Sequence, residues 1–163
     1  MFKIEAHYDN ADALENVQDQ SGMILSLTPT PRALDAGLTI VGMDYWDRRF
    51  RIPPAQSSYP LMNLCPTEAT LRLNHAIWVY SWNPHMHLYG KVLVTEHYRC
   101  GKKIGEIGRI DQYEFDNQQT YSLNPPVKIL PGDALVTTCF FDSSDRVAAI
   151  SGGEETTQEM CDN

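Results

Sequence analysis

The sequence has few basic residues and no long hydrophobic run. Thirteen Lys and Arg residues stand against 21 Asp and Glu residues, and the formal net charge is -8. Nucleic acids and anionic membranes are bound by basic surfaces, so this composition argues against both partners. No hydrophobic run approaches the roughly 18 residues that a membrane-spanning helix needs, and Met1–His7 lacks the basic-then-apolar order of a secretory signal.

Several common active-site and metal-binding motifs are also absent. The chain contains no glycine-rich phosphate loop and no G-x-S-x-G sequence, which disfavours nucleotide-dependent and serine-hydrolase chemistry. Its four cysteines form no C-x-x-C pair of the kind that many zinc sites use. An even number of widely spaced cysteines instead indicates two disulfides and an oxidising compartment. Because no signal peptide accompanies them, we expect a piece of a longer secreted precursor or a truncated gene model.

Short runs of β-branched and aromatic residues, separated by Gly, Pro, Asn and Asp, recur along the chain. Strands favour these residue types, and no long stretch shows the 3.6-residue period of a helix. With 163 residues, of which 42% are apolar, the chain suits one domain. The pattern predicts an all-β, antiparallel, jelly-roll-like β-sandwich in a single domain. The predicted strands include Met23–Leu27, Thr70–Leu73, Ile77–Trp82, Lys91–Tyr98, Lys103–Ile107, Val127–Leu130 and Ala134–Phe141, and Ala11–Asp19 is the one candidate for a helical turn.

The most specific local feature is a pair of histidines in the segment Asn83–Gly90. Successive side chains of a strand point to opposite faces, so His85 and His87 would share one face, with Cα atoms roughly 7 Å apart. Both imidazoles can then reach one metal ion. The alternative is two unrelated histidines on a solvated face, because a bare H-x-H sequence is common.

A third metal ligand has to come from another part of the chain. Met86 alternates with the two histidines and would point to the opposite face. Met160 lies in a polar neighbourhood, where a core methionine is less expected, and a thioether is a soft ligand that favours Cu(I). Two histidines and Met160 would therefore indicate copper rather than zinc, although Met160 taken alone is more simply a methionine packed under a loop. By residue type the candidates are His7, His75, His97, the carboxylates, Met86 and Met160.

Two cysteines, Cys139 and Cys161, enclose the segment that carries Met160. A disulfide between them would tie the Met160 loop to the strand predicted over Ala134–Phe141 and hold the thioether still. The alternative is that both cysteines are free and buried.

Together these segments resemble the copper type II, ascorbate-dependent monooxygenases, the family of dopamine β-monooxygenase and peptidylglycine α-hydroxylating monooxygenase. The resemblance extends from about His7 to Cys161 and is greatest to the dopamine β-monooxygenase branch. Each matching piece is short, but their order along the chain is specific. The matching residues are His7-Tyr8 with Asn10, Asp19 with Ser21-Gly22, Arg32 with Asp35-Ala36-Gly37, Ile52-Pro53-Pro54, Cys65, His85-Met86-His87-Leu88 with Gly90, Pro131-Gly132-Asp133, Cys139, Asp145-Arg146, Gly152-Gly153 and Glu159-Met160-Cys161.

The resemblance implies a protein of two jelly-roll-like domains, each of which holds one copper. Residues 1–163 would form the C-terminal domain with its linking segment, truncated at both ends, and the missing partner would be the N-terminal copper domain. By resemblance, His85, His87 and Met160 are the ligands of the copper that binds O2 and hydroxylates a small-molecule substrate. His7 is the third histidine of the other copper, which receives electrons from ascorbate. The family and the cysteines together imply an extracellular or secretory location.

Some residues depart from the family pattern. The His-His pair of the electron-transfer copper is absent from this chain, so His7 alone cannot make a tight copper site. The family partner of Cys65 would lie beyond Asn163, which leaves Cys65 either unpaired or joined to Cys100. Asp162 stands near a family substrate position, but the tyrosine beyond it is absent, so the resemblance does not give the substrate.

Two other functions fit parts of the sequence. A non-catalytic copper-binding or interaction module would keep the same jelly-roll fold without turnover. A carbohydrate-binding jelly roll would need Trp46, Trp78 and Trp82 in one exposed platform, although tryptophans at alternating positions more often pack against a sheet. We therefore expect a copper- and ascorbate-dependent monooxygenase domain whose isolated chain turns over poorly.

Overall fold

The computed structural model describes residues 4, 6, 8, 10, 12–44, 46–47 and 49–163. The chain divides into two compact units, Met1–Gly37 and Leu38–Asn163. The candidate metal ligand His7 lies outside the described residues, so its predicted role stays a prediction.

The first unit contains turns and bends but no helix or strand among its described residues. The strand predicted over Met23–Leu27 is therefore wrong, as is the helical turn over its described part, residues 12–19. A strand needs a partner for its backbone hydrogen bonds, and this run has none in the described part of the unit; Ile24 is 97% exposed. Short-range side-chain bonds form instead, such as that from the Tyr8 hydroxyl to Asp19, at 2.8 Å.

The regular secondary structure in the described part of the second unit consists almost entirely of β-strands. One short helix, α1 (Thr67–Thr70), and one 3-10 turn, Phe115–Asn117, interrupt them. None of the helices in the described ranges is long and apolar enough to cross a membrane. The strands are β1 (Gly42–Met43), β2 (Arg51–Ile52), β3 (Tyr59–Cys65), β4 (Ile77–Trp82), β5 (Gly90–Arg99), β6 (Lys102–Ile110), β7 (Tyr121–Ile129), β8 (Ala134–Phe141), β9 (Ile150–Ser151) and β10 (Cys161–Asp162).

The largest sheet has four strands in the order β3-β8-β5-β6. At its centre, Leu61 of β3 pairs with Cys139 of β8, which pairs on its other side with Leu93 of β5. The other strands form the two-stranded sheets β4-β7, β2-β9 and β1-β10, and every pair of these strands is antiparallel. The predicted all-β antiparallel class is confirmed, while the jelly-roll connectivity stays a prediction.

Alternate side chains of this sheet form the core. In β8, Leu135, Thr137, Cys139 and Phe141 are buried, whereas the residues between them are partly exposed. This two-residue period follows from the pleat of a strand, and burial of apolar side chains stabilises the fold by about 25 cal/mol per Å². The same alternation places Cys139 on the inner face, where it meets Cys161.

Two short segments differ from the sequence prediction. The strand predicted over Thr70–Leu73 is wrong: α1 ends at Thr70 and a turn follows at residues 71–72, while Pro66 caps the start of α1 in an extended conformation. The strand β3 was not predicted, because Pro60 and Asn63 interrupt its apolar pattern. Since β3 is the edge of its sheet, a proline there costs no essential ladder hydrogen bond.

The three tryptophans occupy different environments. Trp46 and Trp78 are 73% and 58% exposed, but Trp82 is only 5% exposed and belongs to the core. The indole N–H of Trp82 donates to the Asn163 side chain at 2.9 Å. One exposed platform of all three rings, which carbohydrate binding would have required, is therefore not formed.

The Trp82 ring lies against a glycine of β6, and we expect this contact to be sensitive to one methyl group. A Cβ added at Gly108 would lie 2.3 Å from the Trp82 ring, whereas a Cβ at Gly105 in the same strand would meet nothing within 4 Å. Gly108→Ala should therefore lower the free energy of unfolding by about 1–3 kcal/mol, the range for overpacked cores. Urea unfolding measures this, with Gly105→Ala as the matched control; equal effects of the two substitutions would contradict the expectation.

Candidate metal centre

The two histidines of the H-x-H sequence lie together between β4 and β5. The His85 and His87 rings are 5.3 Å apart between centroids, with their planes at 88°. Met86, between them, is fully buried, as expected for a side chain on the opposite face. His85 is half-buried and His87 is 5% exposed, so the pair lies at the border between core and solvent.

The backbone joins this histidine segment to the segment that contains Met160. His85 forms an antiparallel bridge with Asp162, with N···O distances of 2.8 and 3.1 Å in the two directions. Asp162 also pairs with Gly42 through the β1-β10 sheet. The half-buried Met160 is two residues before the bridge, so the structure brings the three predicted ligands into neighbouring segments.

A buried carboxylate holds the two segments together. Glu159 is fully buried, and its carboxylate oxygens accept the backbone N–H groups of His87 at 2.9 Å, Tyr89 at 2.6 Å and Met160 at 3.3 Å. Burial raises the pKa of Glu159 to about 7, while these backbone donors act in the opposite direction. In the sequence, Glu159 stands out only as part of a motif that matches the family, because no local pattern reveals backbone donors that lie about 70 residues away.

Both imidazoles make a hydrogen bond through Nδ1. His87 Nδ1 is 2.9 Å from the main-chain oxygen of Gln158, and His85 Nδ1 is 2.8 Å from Oε1 of Gln118. A carbonyl oxygen only accepts, so the proton of His87 sits on Nδ1 and Nε2 keeps its lone pair. Metal-bound histidines in proteins commonly have this arrangement, in which the second nitrogen is held by an acceptor.

Burial favours the neutral form of the His87 imidazole. Burial lowers the pKa of His87, the Gln158 carbonyl partly offsets this, and the nearby His85 lowers it further. Burial also raises the pKa of Asp162, against the attraction of the two histidines. A histidine must be unprotonated to bind a metal, and burial favours that form of His87.

The donor set fits copper better than zinc. Within the described ranges, no group of three or more His, Cys, Asp and Glu side chains could hold a metal ion. The thioether of Met160, in the segment next to His85 and His87, is the candidate third ligand predicted from the sequence. Two imidazoles and a thioether suit copper, particularly Cu(I).

Two other candidate histidines, His75 and His97, are not part of this group. His97 is buried in β5, and its Nε2 is 2.7 Å from the Asp133 carboxylate. His75 is exposed.

One of the two expected disulfides is present. Cys139 and Cys161 are bonded, as predicted, and this bond attaches the residue after Met160 to β8. Cys65 and Cys100 are free. Of the two alternatives for Cys65, the unpaired thiol is therefore confirmed, and the predicted bond to Cys100 is wrong. The strands β3 and β5 that lead to these cysteines flank β8, about 9.6 Å apart, which exceeds the roughly 7 Å that a disulfide spans between Cα atoms.

Comparison with known proteins identifies the family. Residues 34–163 match the sequence profile described as copper type II ascorbate-dependent monooxygenase, C-terminal domain. The chain belongs to this monooxygenase family. Relatives of this monooxygenase domain include tyramine beta-hydroxylase of Caenorhabditis briggsae, 36% identical over 98% of the chain, and dopamine beta-hydroxylase of Equus caballus, 34% identical over 99%. A putative DBH-like monooxygenase protein 2 of Homo sapiens is 35% identical over 97% of the chain.

The match covers a minor part of each relative. The chain spans 27% of the tyramine beta-hydroxylase, 27% of the dopamine beta-hydroxylase and 32% of the human protein. The family is described as copper- and ascorbate-dependent.

Proposed function

We propose that His85 and His87, through their Nε2 atoms, and Met160, through its sulfur, hold the catalytic copper of a monooxygenase. The observation that carries the proposal is the arrangement of the two imidazoles: they are 5.3 Å apart, and each Nδ1 faces an acceptor. The Glu159 carboxylate supports it, because it bonds to the backbone of both His87 and Met160. When bound, copper would supply the activation of O2 for hydroxylation of a substrate C–H bond, with electrons from ascorbate.

The residues of this chain would hold and orient the metal. Three protein ligands leave coordination positions open, as a catalytic metal site requires. The disulfide of Cys161 and the bridge between His85 and Asp162 would limit the movement of the thioether relative to the imidazoles. Because two ligands are on one short segment and the third is on another, a rigid connection between the segments is needed for a fixed geometry.

The complete protein would have further parts. We propose that residues 1–163 act as the C-terminal copper domain and its linking segment, beside an N-terminal copper domain that completes a second site with His7. The disulfide between Cys139 and Cys161 supports an extracellular or secretory location, since such bonds persist in oxidising compartments. The substrate would be a small molecule.

Copper binding tests this proposal directly. After dialysis with ascorbate, we expect about one copper per chain, and His85→Ala and Met160→Ala should each weaken its retention by at least tenfold, because each removes a donor. His75→Ala and Met62→Ala are matched controls, since both side chains are exposed. Elemental analysis measures the stoichiometry. A natural chain without copper, or retention that is indifferent to both donors, would overturn the proposal.

A non-catalytic copper-binding module is the second candidate, and one observation favours it for the chain alone. The sequence contains no His-His pair, so it offers one complete donor set. On either view the isolated chain should bind copper without efficient turnover. Hydroxylation of tyramine or dopamine that depends on ascorbate and O2, at rates of the complete relatives, would show that the chain alone is sufficient and would exclude the non-catalytic module.

A further inference from the structure

We propose that Gln118 is a positioning residue that fixes the His85 imidazole with Nε2 free to bind the metal. Gln118 directly follows the 3-10 turn Phe115–Asn117, more than 30 residues after His85. This inference rests on the proposed function, because it concerns the same site. It adds a residue that does not contact the metal and whose amide selects the tautomer of one ligand.

The orientation of the Gln118 amide follows from its two hydrogen bonds. Its Nε2 donates to the main-chain oxygen of Phe115 at 3.0 Å. The other end of the amide, Oε1, is then the atom 2.8 Å from His85 Nδ1. Since an amide oxygen only accepts, His85 Nδ1 must carry the proton, and its Nε2 keeps the lone pair.

The Nδ1 proton of His85 is held by a side-chain amide, whereas that of His87 is held by a main-chain carbonyl. The Nδ1 acceptor of His87 is a main-chain oxygen, which a substitution does not remove. The His87 ring also packs edge-on against Phe115, with centroids 5.8 Å apart. His85 is half-buried, and a side-chain amide holds its Nδ1. Without Gln118, the proton of His85 can occupy either nitrogen, and the ring can turn about χ2.

The 3-10 turn and the residue that follows it therefore contact both imidazoles. Phe115 supplies the ring against His87 and also the carbonyl that orients Gln118. Loss of an outer-shell hydrogen bond to a ligand histidine typically weakens metal affinity 10–100-fold. We expect a loss of this size from removal of the Gln118 amide.

The test compares three variants of the full chain. Gln118→Leu removes both hydrogen bonds, whereas Gln118→Glu keeps an acceptor for His85 Nδ1. Gln119→Leu is the matched control, because that neighbouring side chain bonds to Asn117 instead. The first measurement, on metal-free protein, is the His85 tautomer from 15N NMR shifts. The second is Cu(II) affinity from chelator competition, with circular dichroism to confirm that each variant is folded.

The expected result has three parts. The natural chain and Gln118→Glu carry the proton on His85 Nδ1. Gln118→Leu shows a mixture of His85 tautomers and binds copper 10–100-fold more weakly than the natural chain. Gln119→Leu matches the natural chain in both measurements. The inference is overturned if a folded Gln118→Leu keeps the natural tautomer and affinity, or if Gln119→Leu weakens binding equally. A natural chain that binds no copper is a different outcome: it removes the proposed function and this inference with it.

Discussion

Asp133→Asn should lower the free energy of unfolding by about 3 kcal/mol, near the low end of the 3–5 kcal/mol typical for breaking a buried ion pair. The Asp133 carboxylate is 1% exposed and accepts two bonds from Arg99, both 2.7 Å, and one from His97 Nε2, also 2.7 Å. The backbone N–H of Leu130 donates to it at 2.8 Å. The low end applies because the Arg99 side chain is 36% exposed and partly solvated. Urea unfolding at neutral pH measures the change.

The same network predicts a dependence on pH. Arg99 first, and the Leu130 N–H and His97 after it, hold the pKa of Asp133 well below its usual range. A lowered pKa gives stability that is present above the unfolded value of about 4 and is lost as the pH falls through the folded value. The difference between the natural chain and Asp133→Asn should therefore narrow on acidification below about pH 4. Asp111→Asn is the control: it breaks only the exposed pair with Arg109 and should change the free energy of unfolding by less than ~1 kcal/mol. If the difference in unfolding free energy between the natural chain and Asp133→Asn stayed constant at all pH values, this account would be contradicted.

Glu159→Ala should destabilise the metal-free fold by about 3 kcal/mol and also weaken copper binding. Three backbone N–H groups, of His87, Tyr89 and Met160, lose their common acceptor. Each unsatisfied buried donor costs about 1–3 kcal/mol, and these costs are not additive when water or relaxation can satisfy some of the groups. The copper effect follows because the same carboxylate connects the segments of two proposed ligands.

The two consequences of Glu159→Ala can be measured separately. Urea unfolding of metal-free protein gives the stability, and chelator competition at temperatures where the variant is folded gives the copper affinity. Glu155→Ala is the control, since Glu155 is an exposed carboxylate four residues earlier in the same segment. A Glu159→Ala chain with natural stability would show that its three donors find other partners.

The features of the fold that were predictable are those with a local period. Runs of β-branched and aromatic residues indicated β4, β5 and β8 as strands, and the two-residue period of a strand indicated that His85 and His87 share a side. Short strands such as β1 and β10 have two residues each, which is too few to show any period. The helix α1 was missed for a related reason, because four residues cannot show a helical repeat.

The supporting residues of the site were not predictable from the sequence. Gln118 and Glu159 lie 33 and 72 residues from their histidine partners. From the sequence alone, neither can be distinguished from a polar residue exposed to solvent. Their roles arise from strand pairing and from the 3-10 turn, which decide what faces the imidazoles. The family resemblance supplied the ligand candidates, whereas the hydrogen bonds that orient them required the three-dimensional structure.

The bond from His87 to Glu159 also determines when the proposed site can exist during folding. Closing a loop of 72 residues costs on the order of 4 kcal/mol of chain entropy, plus a constant. Of the three proposed ligands, only the two histidines are close together in the unfolded chain, because Met160 is distant until β10 has docked. The free energy of folding thus offsets the entropic cost of bringing the thioether close to the imidazoles. Met160 can act as a third donor only in chains that have already formed this long-range contact.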